Sequence, residues 1–377
     1  MSSSGRYGST SSVLLFSGFG TSGPGLVRQL QNLYRRPADR QLLDVAAEAV
    51  DRAVHRFGAE NARHLPPDGI PLRGWLRNQA PITPAALRSS VVEGLLTHLM
   101  HLCLLRPGSR AAWSGPVIGL GHSLGLISAV VAALRPDGGQ QQFLRDAHES
   151  MAMTALTLLR CQQAAGEPHG EPGLVRRYVQ LSGARERPGP MVAVSGLAVD
   201  RLRDLLAEHL TEGGRPVELG LVNGPSDAVL CGSTSGLLEL WFRHRTALAG
   251  AGVGYAFLRS TVPFHNSRLA PVLDHLNADR AWAGTSITSA RLAAPVYATD
   301  FPRNLQRAGD LYADCLSQVI CRPLDWSATV RSVMAEHRPS RAYDFGPGVA
   351  VRMFTRRCLE PQGDVLEYIP VRPVATA

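Results

Sequence analysis

The 377-residue chain contains no lysine; every one of its 39 Lys/Arg positions is arginine. Chemistry that needs an ε-amine is thereby excluded: a Schiff base with a carbonyl substrate or pyridoxal phosphate, a phosphate-loop lysine, a kinase strand lysine. Arg, Ala, Gly and Pro are the residues of GC-rich codons, and codon bias accounts for the imbalance. The six cysteines form no CxxC pair and the histidines no repeated ligand spacing, so neither a zinc site nor a disulfide framework is indicated. Reduced thiols in a cytoplasmic protein are the simplest reading. His98 and His101 share a helix face but lack HExxH and nearby carboxylates, and no metal is expected there. The net charge of +8 comes from scattered arginines, with no basic run longer than a pair and no nucleic-acid-binding motif, so no nucleic-acid partner is expected. The longest apolar stretch, 117–134, is broken by His122, Ser123 and three glycines, which argues against a membrane span.

Hydrophobic residues at 45% and charged residues at 19% describe a globular chain. Residues 1–12 are Ser/Gly/Thr-rich, lack the apolar core of a signal peptide, and read as a disordered lead-in. Val13–Phe16 is a short strand ending in a Gly-rich turn, and Pro24 opens a helix. Helical periodicity continues over 42–57 and 83–105. A strand at 116–120 then leads directly into Gly121-His-Ser-Leu-Gly125 and a further helix. After a Gly/Pro/Arg-rich segment at 166–190, the order β-α-β-β-α-β over 191–258 is that of a ferredoxin-like unit. The expected architecture is α/β: a parallel-sheet core built from 13–189 and 259–377, with a small inserted subdomain at 190–258.

Gly121-His122-Ser123-Leu124-Gly125 fits G-x-S-x-G between a strand and a helix. Small residues on both sides allow the sharp turn that presents a serine Oγ at a helix start, where backbone N–H groups can hold an oxyanion. Ser123 is therefore the expected nucleophile. Twelve histidines compete to be its base. Most lie in polar helical patterns, whereas His265, in Val262-Pro-Phe-His-Asn266, sits in a rigid turn of the kind that carries catalytic side chains. No obvious Asp stands out in the serine, acid, histidine chain order of hydrolases, so the expectation is a Ser–His pair oriented by amide or backbone groups.

Seven segments together resemble the malonyl-CoA:acyl carrier protein transacylase family, in particular the malonyl/palmitoyl transferase domain of fungal and mycobacterial type I fatty acid synthases. They are Phe16-Ser-Gly-Phe-Gly20, Gly121-His-Ser-Leu-Gly125, Leu159-Arg-Cys161, Leu221-Val-Asn-Gly224, Pro263-Phe-His265, Pro295-Val-Tyr297 and Asp344-Phe-Gly-Pro-Gly348. The resemblance implies an α/β-hydrolase-like core with a ferredoxin-like insert, and transfer of an acyl group, malonyl above others, from CoA through an acyl-serine to the phosphopantetheine thiol of an acyl carrier protein. It implies no cofactor beyond the CoA thioester substrate. Ser123 would be the nucleophile, His265 the base, and the backbone N–H groups of Leu124 and Phe19 the oxyanion hole. Arg160 would clamp the malonyl carboxylate, a role that suits a guanidinium fork. Phe264, Asn223 and His122 would line the substrate site. Where the family loop reads Gly-Gly-Gln-Gly or Pro-Gly-Gln-Gly, this chain has Ser17-Gly18-Phe19-Gly20. The backbone donor survives that change and the glutamine side chain does not.

Two other readings compete. An acyl hydrolase on the same scaffold would give the acyl group to water; Arg160 favours transfer. Gly18-Phe-Gly-Thr-Ser-Gly23 also satisfies G-x-G-x-x-G, the mark of a dinucleotide-binding oxidoreductase. That reading requires a second strand ending in an acidic residue, and 36–57 is helical instead.

Overall fold

The computed structural model describes residues 11–20, 23–107, 115–134, 139–166, 170–184, 186–360, 363 and 365–373. Of the expected lead-in, residues 1–10 lie outside these, while Ser12 already belongs to the first strand.

In chain order the first half is β1 (Ser12–Phe16), α1 (Pro24–Tyr34), α2 (Pro37–Phe57), α3 (Leu72–Leu76), α4 (Pro84–Leu87), α5 (Ser90–Leu105), β2 (Val117–Gly121), α6 (Gly125–Ala133), α7 (Gly139–Ala165) and α8 (Pro172–Ser182). The middle is β3 (Met191–Ser195), α9 (Val199–Thr211), β4 (Val217–Gly224), β5 (Asp227–Gly232), α10 (Thr234–Gly250) and β6 (Gly254–Phe257). The last third is α11 (Val272–Ala283), α12 (Leu311–Ile320), β7 (Leu324–Asp325), α13 (Trp326–His337), β8 (Arg341–Asp344), α14 (Ala350–Leu359) and β9 (Glu367–Pro370).

The fold is mixed α/β with two sheets. One is parallel throughout, in the order β2-β1-β8-β9. Its central strand β1 is buried at every residue, as a strand covered by helices on both faces must be. The other has the order β6-β3-β5-β4-β7, and all its neighbours are antiparallel except β4 and β7. Its first four strands and two helices follow the β-α-β-β-α-β order read from the sequence, over a core of their own that includes Val192, Leu202, Leu230, Leu237 and Leu240. The fifth strand differs from expectation: Leu324–Asp325 comes from outside 190–258 and pairs with Leu221 and Val222.

Two helical segments also differ from the sequence reading. The helix expected over 83–105 is two, because Thr83 caps α4 through Ala86 N–H, and Ser89 is extended (φ −74°, ψ 127°) before α5 begins. Residues 172–182, inside the segment read as a polar separator, form α8 with Pro172 in its first turn. No helix among the described residues is long and apolar enough to cross a membrane.

Candidate active site

Strand β2 and helix α6 meet at Ser123, which takes a left-handed conformation with φ 54°. That conformation costs a non-glycine residue about 1–2 kcal/mol, and here it turns Oγ out of the strand–helix corner. The flanking glycines are steric requirements. A Cβ on Gly121 would come within 2.2 Å of the Gly125 backbone, and one on Gly125 within 2.3 Å of the Phe16 carbonyl oxygen.

His265 reaches this serine from the turn before α11, with φ 58° and its N–H donated to the Ile320 carbonyl at 2.8 Å. Its Nε2 lies 2.7 Å from Ser123 Oγ, and its Nδ1 lies 3.0 Å from the Arg322 carbonyl oxygen. A carbonyl only accepts, so Nδ1 carries the proton and Nε2 is free to accept the serine hydroxyl proton. The orienting group is thus a main-chain carbonyl, with no carboxylate in the pair. Burial pulls His265 down to about 4, opposed by the bond to Arg322. The imidazole is consequently neutral near pH 7, the state a general base requires.

The loop Ser17–Gly20 lies directly against the nucleophile. A Cβ on Gly18 would sit 2.7 Å from the His122 carbonyl oxygen and 3.0 Å from Ser123 Cβ, so only glycine fits. The loop is tied down at both ends: Ser17 N–H donates to the Gly346 carbonyl at 3.1 Å, and Gly20 N–H to Oε1 of buried Glu93 at 2.7 Å. The N–H groups of Phe19 and Leu124, the latter at the start of α6, donate to no protein acceptor among the described residues. Both are left available to an oxyanion.

Phe19 stacks on Phe264, the residue before the base, with ring centroids 4.8 Å apart and planes 18° from parallel. His122 and Asn223 are buried beside the serine and bonded to each other, Nε2 to Oδ1 at 2.7 Å. Burial draws His122 down to about 4, so it donates to Asn223 as a neutral ring. The His122 ring also packs on Trp326 and Phe354.

Arg160 is placed otherwise than the sequence suggested. On α7, Leu158 is the residue that packs toward Gly94 at the site. Two residues along a helix is a rotation of about 200°, so Arg160 leaves on the opposite face. There its Nε and Nη2 grip the carboxylate of Asp279 at 3.0 and 3.3 Å, and its plane lies 5.1 Å from the Phe57 ring centroid. Asp279 is 1% exposed at its side chain and is also held by Arg56. The fork expected to clamp a substrate carboxylate already clamps one of the protein's own.

His98 and His101 commit their ring nitrogens to Ser128 Oγ, Ser150 Oγ and the Gly346 carbonyl. The stretch after Gly18–Gly23 is α1 followed by α2, and Asp39 on α2 is buried against Arg106. The strand that dinucleotide binding requires is not there among the described residues, and the oxidoreductase reading falls. Sequence reasoning missed Glu93 and the carbonyl of Arg322. The latter left no trace to find, since any residue supplies a carbonyl.

A strand–serine–helix elbow with a neutral histidine and two free backbone donors, set on a parallel sheet with a small antiparallel sheet beside it, is an arrangement that can hold an acyl-serine. Comparison with solved structures identifies the fold. The fold is that of a malonyl CoA-acyl carrier protein transacylase from Coxiella burnetii (TM-score 0.66, 16% identity, 96% of this chain and 94% of that one). It is equally that of a malonyl-transacylase solved in complex with a type II polyketide acyl carrier protein (TM-score 0.68, 17% identity, 96% of each chain). In sequence the chain is similar to the fatty acid synthase subunit beta of Saccharomyces cerevisiae, 26% identical over 248 residues, or 61% of this chain. It is similar also to that of Gibberella zeae, 26% identical over 362 residues, or 91% of this chain. The match spans 12% and 17% of those two relatives' own length. No family model matches.

Proposed function

We propose that this chain is an acyltransferase carrying an acyl group, malonyl in the first reading, from CoA to the phosphopantetheine thiol of an acyl carrier protein in fatty acid or polyketide synthesis. The observation that carries the proposal is the 2.7 Å contact between Ser123 Oγ, strained at its elbow, and the neutral Nε2 of His265. Ser123 Oγ attacks the thioester carbonyl while His265 takes its proton; Leu124 and Phe19 N–H groups hold the oxyanion. The C–S bond breaks as His265 returns the proton to the departing CoA thiol, leaving the acyl-serine. The carrier thiol then gives its proton to His265 and attacks the ester, and as the Oγ–C bond breaks His265 returns that proton to Ser123. The scheme calls on no metal or redox cofactor. The six cysteines are free thiols, which supports a reducing, cytoplasmic setting.

Malonyl is the group named for the structural neighbours. A second reading, a neutral acyl unit, is favoured by the commitment of Arg160 to Asp279. Intact-mass analysis after mixing with malonyl-CoA or acetyl-CoA tests both. An adduct on the wild type that vanishes in Ser123→Ala establishes the acyl-serine; an equal adduct on both proteins refutes it. Loss of malonyl but not acetyl loading in Arg160→Ala makes Arg160 the clamp, and equal retention of both removes that role. Acyl transfer to carrier protein outpacing release to water separates transferase from hydrolase.

A further inference from the structure

Gly94 on α5 marks a point of close packing beside the site. A Cβ there would lie 2.7 Å from Leu158 Cδ1, 3.0 Å from Phe19 Cε1 and 3.1 Å from Leu124 Cδ2. Three apolar side chains therefore converge beside the nucleophile, and Phe264 closes the group by stacking on Phe19. Of these residues, Leu124, Leu158 and Phe264 are fully buried, while Phe19 is half-buried on the loop.

The side chains of Phe19 and Leu124, the two residues whose N–H groups would hold the acyl carbonyl oxygen, meet at Gly94 beside Ser123 and bound the space on that side of an acyl group there. Phe19 is the one of the two carried by a loop, and the loop is not free to swing. Gly20 N–H is bonded to the buried Glu93 carboxylate, next in sequence to Gly94, and Gly18 is wedged against His122 and Ser123. Turning the ring would break the aromatic stack, and moving the loop would break the Gly20 hydrogen bond to Glu93 as well.

We propose that Phe19, braced on Phe264 and held through Gly20 by Glu93, is a size gate that restricts the acyl group on Ser123 to short units such as acetyl or malonyl. The inference rests on the acyl-serine reading and adds the residue that sets its chain-length limit. The position is one where the resembled family carries glutamine, so the gate belongs to this chain's own loop.

The test is the rate of acyl-Ser123 formation, followed by intact mass, with acetyl-CoA, butyryl-CoA and octanoyl-CoA as probes. Wild type is expected to load acetyl faster than octanoyl. In Phe19→Ala and Phe19→Leu the octanoyl-to-acetyl ratio should rise by about tenfold or more, since pocket size discriminates at roughly that level. A ratio is used because it cancels any general damage to the oxyanion donor, and Phe19→Leu keeps apolar bulk should the alanine variant fold poorly. Wild type loading octanoyl as fast as acetyl, or an unchanged ratio in both variants, would overturn the gate and leave the acyl-serine intact. No loading of wild type by any probe would overturn the acyl-serine reading and the gate with it.

Discussion

His265 acts through a property set wholly by its surroundings. Its ring is buried against the backbone carbonyls of Arg322 and Gln318, and burial holds it near 4 instead of the 6.5 of an exposed histidine. Since the depressed value keeps the base neutral down to that pH, the acid limb of kcat/KM for the free protein should fall near pH 4. A pH profile of acyl-Ser123 formation checks this; a limb near 6.5 would mean that the base titrates as if exposed. The pairing of Ser123 with His265 was legible because spaced glycines and a Pro-Phe-His turn are constraints written in side chains. An orienting amide or backbone group was expected; that it is the Arg322 carbonyl was not legible, because that carbonyl is written in the path of the chain.

Helix α7 shows where a motif outruns geometry. Its segment Leu158-Leu-Arg-Cys161 looks like a site segment, and part of it is one, through Leu158. The facing rule that puts Leu158 at the site puts Arg160 against α2 and α11. In structural terms Arg160 neutralises a carboxylate that is otherwise buried. Arg160→Ala should therefore destabilise the fold by about 3 kcal/mol, because among the described residues Asp279 would keep only Arg56 as an ion-pair partner. Adding Asp279→Asn should recover much of that loss. Urea unfolding of the single and double variants measures both effects, and an unchanged midpoint in Arg160→Ala would contradict them. The break between α4 and α5, by contrast, depends on a cap at Thr83 and an extended Ser89 that the continuous apolar pattern over 83–105 conceals.

Taken whole, the molecule buries four neutral histidines around its site and the helices behind it. His98 is drawn down to about 3, and His101, His122 and His265 to about 4, all chiefly by burial. Between those values and about 6.5 the unfolded chain binds protons that the folded one does not, so stability must fall as pH falls through that window. Each histidine contributes up to roughly 1.4 kcal/mol per pH unit there. Urea midpoints should therefore drop steeply from pH 6.5 to 5 and be insensitive to these groups from 6.5 to 8; a flat midpoint from 8 to 5 would refute the assignment. The order of the strands and helices was largely readable from periodicity and turn residues. The closing of the second sheet was not, because β7 is two residues long and carries no pattern of its own.

That short strand has a further consequence. It pairs with Leu221 and Val222 on β4, and it begins two residues after the carbonyl that orients His265. Excised alone, residues 190–258 would present β4 as a bare edge, open to pairing with other copies and so to aggregation. In the intact chain the same seam makes the small sheet a splint for the base: β4 carries Asn223, which is bonded to His122, its Gly220 would bring a Cβ within 3.3 Å of His265, and its partner β7 begins two residues from the Arg322 carbonyl.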